Sequence, residues 1–163
     1  MDLSIVIPVF NEAGNIAPLV DEISRRLAGQ PDYENVLVDD GSTDGTPDVV
    51  RICRQQDSRV RVLCHRERCG QSAAIASGVD AATGAWIATM DGDGQNDPAD
   101  LPVLYRSIRA APADVMLVTG YRKHRHDSWL KRFSSRVANA ARRAVLRDST
   151  PDTGCGLKVF ARA

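Results

Sequence analysis

The sequence predicts one α/β domain, with a mostly parallel central sheet covered by helices on both faces. Short apolar runs alternate along the chain with segments whose apolar residues recur at helical spacing. The helical segments are about 10 to 18 residues long, which is the kind of crossover that joins parallel strands. The length of 163 residues fits a single domain, so we expect one domain over 1–163.

Six apolar runs predict the strands of this sheet. They lie at 3–9, 36–38, 60–64, 86–90, 115–119 and 156–160. Each run is short and is followed by polar residues, glycine or proline, as expected for strands that are buried on both faces. Ligands of such sheets bind beyond the carboxyl ends of the strands, so the residues that follow each run are the candidates for function.

Five helices are predicted between these strands. They cover 16–27, a segment from Thr46, 72–82, a segment from Asp97, and 130–147. Asn15 is the candidate cap of the first helix, and Pro47 after Thr46 is typical of a helix N-terminus. The third helix is rich in small residues and can pack close to a sheet. Gln71 and Ser72, at its start, are assigned to this packing.

The charge of the chain is balanced overall but unevenly distributed. Residues 1–120 carry ten basic and 18 acidic side chains, whereas residues 121–147 carry nine basic and one acidic. A basic segment in a neutral protein favours contact with an anion, although a solvated helix face would have the same composition. The three histidines, His65, His124 and His126, are scattered, and His124 and His126 in the basic segment are expected to support anion binding or solubility rather than bind a metal.

No targeting or membrane-spanning segment is predicted. The N-terminus has no signal-peptide pattern, and no apolar run reaches the roughly 18 residues that a membrane helix needs. The four cysteines show no metal-ligand spacing and are expected to be reduced thiols, with Cys53 and Cys64 in the core. We therefore expect a cytoplasmic protein, without a nucleic-acid partner.

Acidic residues follow two of the predicted strands. Asp91 and Asp93 flank Gly92 after the fourth run, and Asp39 and Asp40 follow the second. Two carboxylates one residue apart at a strand end suit Mg²⁺ or Mn²⁺ and the phosphates bound to it. Either cluster could instead be turn chemistry with helix-capping aspartates. The position of both clusters at one sheet edge favours a binding site.

The chain resembles family 2 glycosyltransferases with the GT-A fold, a Rossmann-like fold of enzymes that use nucleotide-diphospho sugars. Within them it is similar to the dolichyl- and polyprenyl-phosphate glycosyltransferases. The resembling segments span nearly the whole chain in family order, at 4–12, 38–46, 70–84, 90–98, 120–122, 131–139 and 152–157. Relatives usually continue well past the last of these, so the resemblance implies a domain truncated at the C-terminus.

The resemblance implies roles for individual residues. Nucleotide-binding residues would be Pro8, Phe10, Glu12, Val38, Asp40 and Gly92. Asp91 and Asp93 would serve catalysis and hold Mg²⁺ or Mn²⁺, with Gln95 beside them. Arg122 would be catalytic, and the acceptor phosphate would be bound by Lys131, Arg132, Ser135 and Arg136.

The implied reaction is inverting transfer of a sugar from a UDP- or GDP-linked donor to a polyprenyl phosphate. A lipid phosphate is already an anion and needs no general base, only cationic positioning and charge screening. Peripheral contact with the cytoplasmic face of a membrane follows from such an acceptor. Two alternatives stay open: a relative that transfers to a sugar hydroxyl in cell-envelope polysaccharide synthesis, which needs a carboxylate base, and an inactive nucleotide-sugar-binding fragment.

Overall fold

The computed structural model describes residues 1–29, 32–120 and 155–162. They form an α/β unit with six strands and four helices. In chain order these are β1 (Leu3–Val9), α1 (Ala13–Arg26), β2 (Tyr33–Asp39), α2 (Thr46–Gln56), β3 (Val60–Cys64), α3 (Gln71–Ala81), β4 (Trp86–Thr89), α4 (Asp100–Ala110), β5 (Leu117–Thr119) and β6 (Lys158–Ala161).

The strands form one mixed sheet in the order β3-β2-β1-β4-β6-β5. The first four are mutually parallel, and β6 is antiparallel to both of its neighbours. The chain adds β2 and β3 on one side of β1 and then returns to add β4 on the other side of β1. Because parallel crossovers are right-handed, this reversal places α1 and α2 on one face and α3 on the other. A cleft for ligands is expected at such a switch point.

The predicted α/β class and the mostly parallel sheet are confirmed, and several boundaries differ from the prediction. β2 is longer than the apolar run 36–38, because Tyr33 and the polar Glu34 and Asn35 are also buried. Helix α1 begins at Ala13, with Glu12 rather than Asn15 in the capping position. The predicted helix at 130–147 lies outside the described residues.

Helix α3 packs directly on the sheet, as its small residues predict. Ala74 lies in a buried cluster with Val6 of β1 and with Val36 and Val38 of β2. Gly78 is the point of closest approach, because a Cβ there would clash with Cγ1 of Val6. A larger residue at Gly78 would push the helix away from the sheet.

The amino ends of the central strands are joined around a buried carboxylate. Glu34 is only 2% exposed. It accepts hydrogen bonds from Ser4 Oγ at 2.6 Å, from the backbone N–H and the hydroxyl of Thr83 at 2.7 Å each, and from Arg61 at 3.0 Å. Burial opposes ionisation, but these four hydrogen bonds outweigh it and lower the pKa of Glu34 from 4.5 to about 2. Glu34 thus fixes the end of the sheet opposite the acidic clusters.

The four cysteines are free thiols, and only two of them are buried. Cys53 belongs to the core as predicted. The prediction for Cys64 was wrong, because Cys64 ends the edge strand β3 and its side chain is exposed. Within the described part of the chain, no helix combines the length and the hydropathy needed to cross a membrane.

Candidate functional site

The loops after β1 and β2 are joined to each other by hydrogen bonds. Asn11 adopts a left-handed backbone conformation, with φ of 57°. Its backbone N–H donates to Ser42 Oγ at 2.9 Å, and its side-chain carbonyl accepts from the N–H of Thr43 at 2.9 Å. The N–H of Glu12 donates to Thr46 Oγ1 at 2.8 Å. These cross-loop bonds explain why polar turn residues follow both strands.

A second group of contacts centres on Asp40, which follows β2 and is 3% exposed. Its Oδ1 lies 2.8 Å from Nδ1 of His65 and accepts the N–H of Cys69 at 2.9 Å, while Oδ2 accepts the N–H of Gly70 at 2.7 Å. Burial works against the charged carboxylate, yet the contact with His65 and the two backbone hydrogen bonds prevail and lower the pKa of Asp40. Asp40 is therefore an ordered anion that positions the loop 65–70.

Phe10 lies at the mouth of this region, half-buried. The guanidinium of Arg68 lies over its ring, 4.2 Å from the ring centre. Such cation–π contacts contribute about 0.5–1 kcal/mol at exposed positions. The pair brings an aromatic face and a positive charge together near the ends of β1 and β3.

Asp91 follows β4 and is held by two amide side chains. Gln71 Nε2 donates to Oδ1 at 2.8 Å, and Asn96 Nδ2 donates to Oδ2 at 3.1 Å. The prediction for Gln71 was wrong. It is an exposed residue at the N-terminus of α3, and it contacts the acidic loop rather than packing on the sheet. The N-terminus of α3 is therefore bonded to the loop after β4.

Gly156 completes the surroundings of Asp91. A Cβ on Gly156 would clash with the carboxylate carbon and both oxygens of Asp91. The carbonyl of Gly156 accepts a hydrogen bond from Thr89 Oγ1 at 2.8 Å, which fixes this backbone beside β4. The absence of a side chain at Gly156 is thus what leaves room for the carboxylate.

The remaining residues of the acidic loop differ in exposure. Gly92 is buried, and a Cβ there would come within 2.6 Å of Val9 Cγ1 and 3.0 Å of the Pro8 carbonyl oxygen. Asp93 and Gln95 are exposed, and Asp93 Oδ1 accepts the N–H of Gln95 at 3.0 Å. Close packing of Gly92 on the end of β1 lets the loop present Asp93 to solvent.

This donor set fits a divalent cation of the Mg²⁺ or Mn²⁺ type. Asp91, Asp93 and Gln95 offer only hard oxygen ligands, which is what both ions prefer. The absence of a side chain at Gly156 leaves space for the Asp91 carboxylate, and amide groups of Gln71 and Asn96 orient it. Amide donors of this kind commonly hold metal-binding carboxylates in place.

The structure brings together most of the predicted nucleotide-binding residues, with one qualification for Val38. The side chain of Val38 is fully buried in the cluster under α3 and serves the core. Half-buried Pro8 lies near the end of β1, half-buried Phe10 and Glu12 follow on the first loop, and Asp40 follows β2. Five predicted residues lie outside the described residues: Arg122, Lys131, Arg132, Ser135 and Arg136.

Several residues of the site were not predicted from the sequence. His65, Arg68, Asn96 and Gly156 contact the predicted residues directly. Gly156 lies in the motif 152–157, which carried the resemblance without a physical role. His65 stands directly after β3, and this position at the carboxyl edge was the signal that could have identified it.

Comparisons with known proteins agree with this geometry. The family model described as glycosyl transferase family 2 matches residues 4–163. The chain is 36% identical over 163 residues to a dodecaprenyl-phosphate galacturonate synthase of Rhizobium johnstonii, covering 98% of the chain and 48% of that relative. It is 32% identical to an undecaprenyl-phosphate 4-deoxy-4-formamido-L-arabinose transferase of Aeromonas hydrophila, with 98% and 49% covered. The chain thus spans about half the length of these curated relatives.

Solved structures show the same fold. A mannosyltransferase of Pyrobaculum calidifontis, in complex with GDP-Man and Mn²⁺, has a TM-score of 0.71 at 25% identity, covering 98% of the chain and 44% of that protein. A glucosyl-3-phosphoglycerate synthase of Mycobacterium tuberculosis, in complex with UDP, has a TM-score of 0.76 at 24% identity, with 99% and 57% covered. The resemblance inferred from the sequence motifs is confirmed: the chain belongs to glycosyl transferase family 2, with the GT-A fold.

Proposed function

We propose that the chain is the catalytic domain of an enzyme that transfers a sugar, with inversion, from a nucleotide diphosphate to a polyprenyl phosphate. One observation carries the proposal within this family. The Asp91 carboxylate is held by Gln71 and Asn96 at the switch point of the sheet, in the space that the missing side chain of Gly156 leaves for it. The names of the curated relatives supply the acceptor class, since both are polyprenyl-phosphate enzymes.

The metal in this proposal is Mg²⁺ or Mn²⁺, bound by Asp91 and Asp93 with Gln95 beside them. When bound, a divalent cation stabilises the negative charge that builds up on a departing diphosphate. Gln71 and Asn96 keep the Asp91 carboxylate oriented, so little reorganisation is needed when the donor arrives. The nucleoside would lie between the joined loops after β1 and β2 on one side, with Pro8, Phe10 and Glu12, and the loop 65–70 on the other.

The hydrogen bonds of Asp40 favour a uracil base over guanine. A carboxylate offers about four lone-pair positions, and three of those of Asp40 are taken, two of them on Oδ1. Uracil presents one imide N–H, whereas guanine presents two neighbouring donors that require both carboxylate oxygens. We therefore favour UDP as the nucleotide of the donor, with GDP as the alternative to test.

The acceptor side of the proposal rests on charge. Residues 121–147 carry nine basic side chains and one acidic. A phosphate acceptor that attacks a diphosphate-linked sugar must approach two other phosphates, and cations reduce that repulsion. Arg122, Lys131, Arg132, Ser135 and Arg136 are the proposed contacts, with Arg122 proposed to act on the donor phosphates. Basic residues also bind anionic membrane surfaces, at about 1 kcal/mol for each well-placed side chain, which supports peripheral contact with the cytoplasmic face.

Calorimetry with Mn²⁺ tests the donor site. We expect UDP to bind more tightly than GDP, and binding to be lost when the metal is removed or Asp93→Asn is introduced. The matched control is Asp100→Asn, which neutralises an exposed carboxylate in the first turn of α4 and should leave binding unchanged. Equal binding by Asp93→Asn and the unaltered chain would refute the assignment of Asp93.

A transfer assay tests the acceptor class. Radiolabelled sugar from UDP-linked donors is offered to undecaprenyl phosphate and to soluble sugar acceptors in parallel. Product with the lipid phosphate alone supports the proposal. Product with sugar hydroxyls alone would favour a polysaccharide enzyme, which requires a carboxylate base, and donor binding without any product would favour a nucleotide-sugar-binding fragment.

A further inference from the structure

A second group of potential metal ligands lies beside the proposed nucleotide cleft. One ligand atom from each of Asp40, His65 and Cys69 lies within 4.8 Å of the other two. Asp40 is buried, His65 is partly buried and Cys69 is exposed, so the group reaches from the interior to the surface. We propose that these three side chains bind Zn²⁺ at a site separate from the Asp91 and Asp93 carboxylates.

The histidine is already oriented for ligation. Nδ1 of His65 faces Asp40 Oδ1 at 2.8 Å, and Nε2 faces Ser77 Oγ at 2.9 Å. The hydrogen bond to Asp40 places the proton on Nδ1, and a cation bound by both side chains would take the place of that proton. The imidazole proton would then lie on Nε2, where Ser77 Oγ can accept it. Ser77 then fixes the histidine tautomer from the far side of the ring, as the outer partner of a metal-binding histidine does.

The carboxylate is held in place by groups that do not compete for the metal. The backbone N–H groups of Cys69 and Gly70 donate to Asp40, one to each oxygen. Gly70 has φ of 95°, a backbone conformation that side chains rarely allow, and it lets the chain turn so that both N–H groups point inward. The same turn places the thiol sulfur of Cys69 within 4.8 Å of a carboxylate oxygen of Asp40.

The thiol can move into the site at small cost. Cys69 Sγ now lies 3.3 Å from the carbonyl oxygen of Glu67, a weak hydrogen bond on an exposed residue. Ligands bound to Zn²⁺ at about 2.0–2.3 Å lie roughly 3.3–3.8 Å from one another. Ligand atoms as far apart as 4.8 Å therefore need to close in by about 1.0–1.5 Å, which rotation of the exposed cysteine side chain can supply. Asp40 Oδ1 and His65 Nδ1, now 2.8 Å apart, need to separate by about 0.5 Å.

The ligand types select the metal. Thiolate and imidazole ligands favour Zn²⁺, whereas Mg²⁺ and Mn²⁺ prefer oxygen. Three protein ligands with a fourth position open to water is the arrangement of Zn²⁺ sites that exchange ligands. The two sites of this chain would thus be separated by chemistry, with hard oxygen ligands at Asp91 and mixed ligands at Asp40.

Occupation of this site has a consequence that rests on the proposed function. A Zn²⁺ ion bound between His65 and Asp40 would place a cation beside the carboxylate that the N–H of a nucleobase would approach, and the two positive groups would repel each other. Zn²⁺ would then weaken donor binding without displacing Mn²⁺ from the acidic loop. The Zn²⁺ site would act as an inhibitory site at the base-binding end of the cleft.

Metal titration of the full chain tests the binding claim without any enzyme assay. We expect Cys69→Ser and His65→Gln each to weaken Zn²⁺ binding by about tenfold or more, as loss of one of three ligands requires. Cys64→Ser is the matched control, because Cys64 is an exposed cysteine of the neighbouring strand end and lies outside the group. Co²⁺ in place of Zn²⁺ should give a thiolate charge-transfer absorption that is lost in Cys69→Ser and kept in Cys64→Ser.

Two results would contradict the proposed Zn²⁺ site. One is Zn²⁺ binding by Cys69→Ser that is as tight as in the unaltered chain. The other is an equal loss of affinity in Cys64→Ser. Nucleotide binding is measured separately, with Mn²⁺ and UDP on metal-stripped protein. Absence of UDP binding in that experiment refutes the proposed UDP donor site and leaves the Zn²⁺ result standing.

Discussion

Gly156 lies directly against the carboxylate of Asp91, although the two residues are far apart in the chain, and no Cβ fits between them. Gly156 does not have a left-handed backbone conformation. The need for glycine at this position therefore comes from the lack of room for a side chain and not from its φ angle. The space it leaves is filled by the carboxylate proposed to hold the metal. A change at Gly156 should therefore act on metal-dependent binding first.

The first prediction is that Gly156→Ala lowers the affinity for Mn²⁺ with UDP by about tenfold or more, because the new methyl group displaces a proposed metal ligand. Calorimetry of the paired ligands measures the effect. The matched control is Gly14→Ala in α1, where nothing lies within 4 Å of an added Cβ. That control should bind normally and be more stable by about 0.5–1 kcal/mol. Unchanged binding in Gly156→Ala would contradict the role assigned to Gly156.

A second prediction concerns the amide that holds Asp91. Gln71→Ala removes the 2.8 Å hydrogen bond to Oδ1 and should weaken metal-dependent nucleotide binding several-fold, with little change in the free energy of unfolding, since Gln71 is exposed. The neighbouring Ser72→Ala, also exposed, serves as the control. If both variants bound UDP and Mn²⁺ equally well, Gln71 would be a surface residue without influence on the site.

A third prediction follows from the lowered pKa of Glu34. A carboxylate with a pKa of about 2 in the folded chain and 4.5 when unfolded stabilises the fold above pH 4.5, and this stabilisation disappears as the pH falls toward 2. The shift corresponds to a free energy on the order of 3 kcal/mol. Glu34→Gln should be less stable than the unaltered chain at pH 7, and the difference should shrink as the pH falls through this window.

Urea denaturation at several pH values measures this difference. Because other carboxylates titrate over the same range, the comparison between the two chains isolates Glu34. A difference in stability that stays constant from pH 7 to pH 3 would show that the hydrogen bonds of Glu34 do not depend on its charge. Nucleotide affinity at pH 7 should be unchanged, since Glu34 lies at the opposite ends of the strands from the acidic loop.

A fourth prediction concerns the packing of α3 on the sheet. Gly78→Ala places a methyl group against Cγ1 of Val6, and Val38 lies 3.0 Å from the same position. Overpacking of this kind costs about 1–3 kcal/mol, more than the gain in helix propensity. The midpoint of urea unfolding should fall, whereas the Gly14→Ala control should raise it. A rise in both would show that the helix can shift at little cost.

The local patterns of this chain determine its elements and the edge where its chemistry lies. The strands at 3–9 and 60–64 were predicted with the bounds that the structure shows, because each is a short apolar run between polar turns. The acidic clusters meet at one edge because carboxyl ends of parallel strands share it. Motif order along the chain was enough to identify the family.

Tertiary structure alone decided which residues support those clusters. The pairing of β6 between β4 and β5 brings Gly156 to Asp91, and no periodicity within either segment encodes that contact. The loop after β3 likewise places His65 against Asp40, and the start of α3 places Gln71 against Asp91. The spacing of apolar residues along the sequence indicates which face of a helix or strand is buried. Contacts between distant segments depend instead on the strand order and on side-chain volume in the assembled sheet.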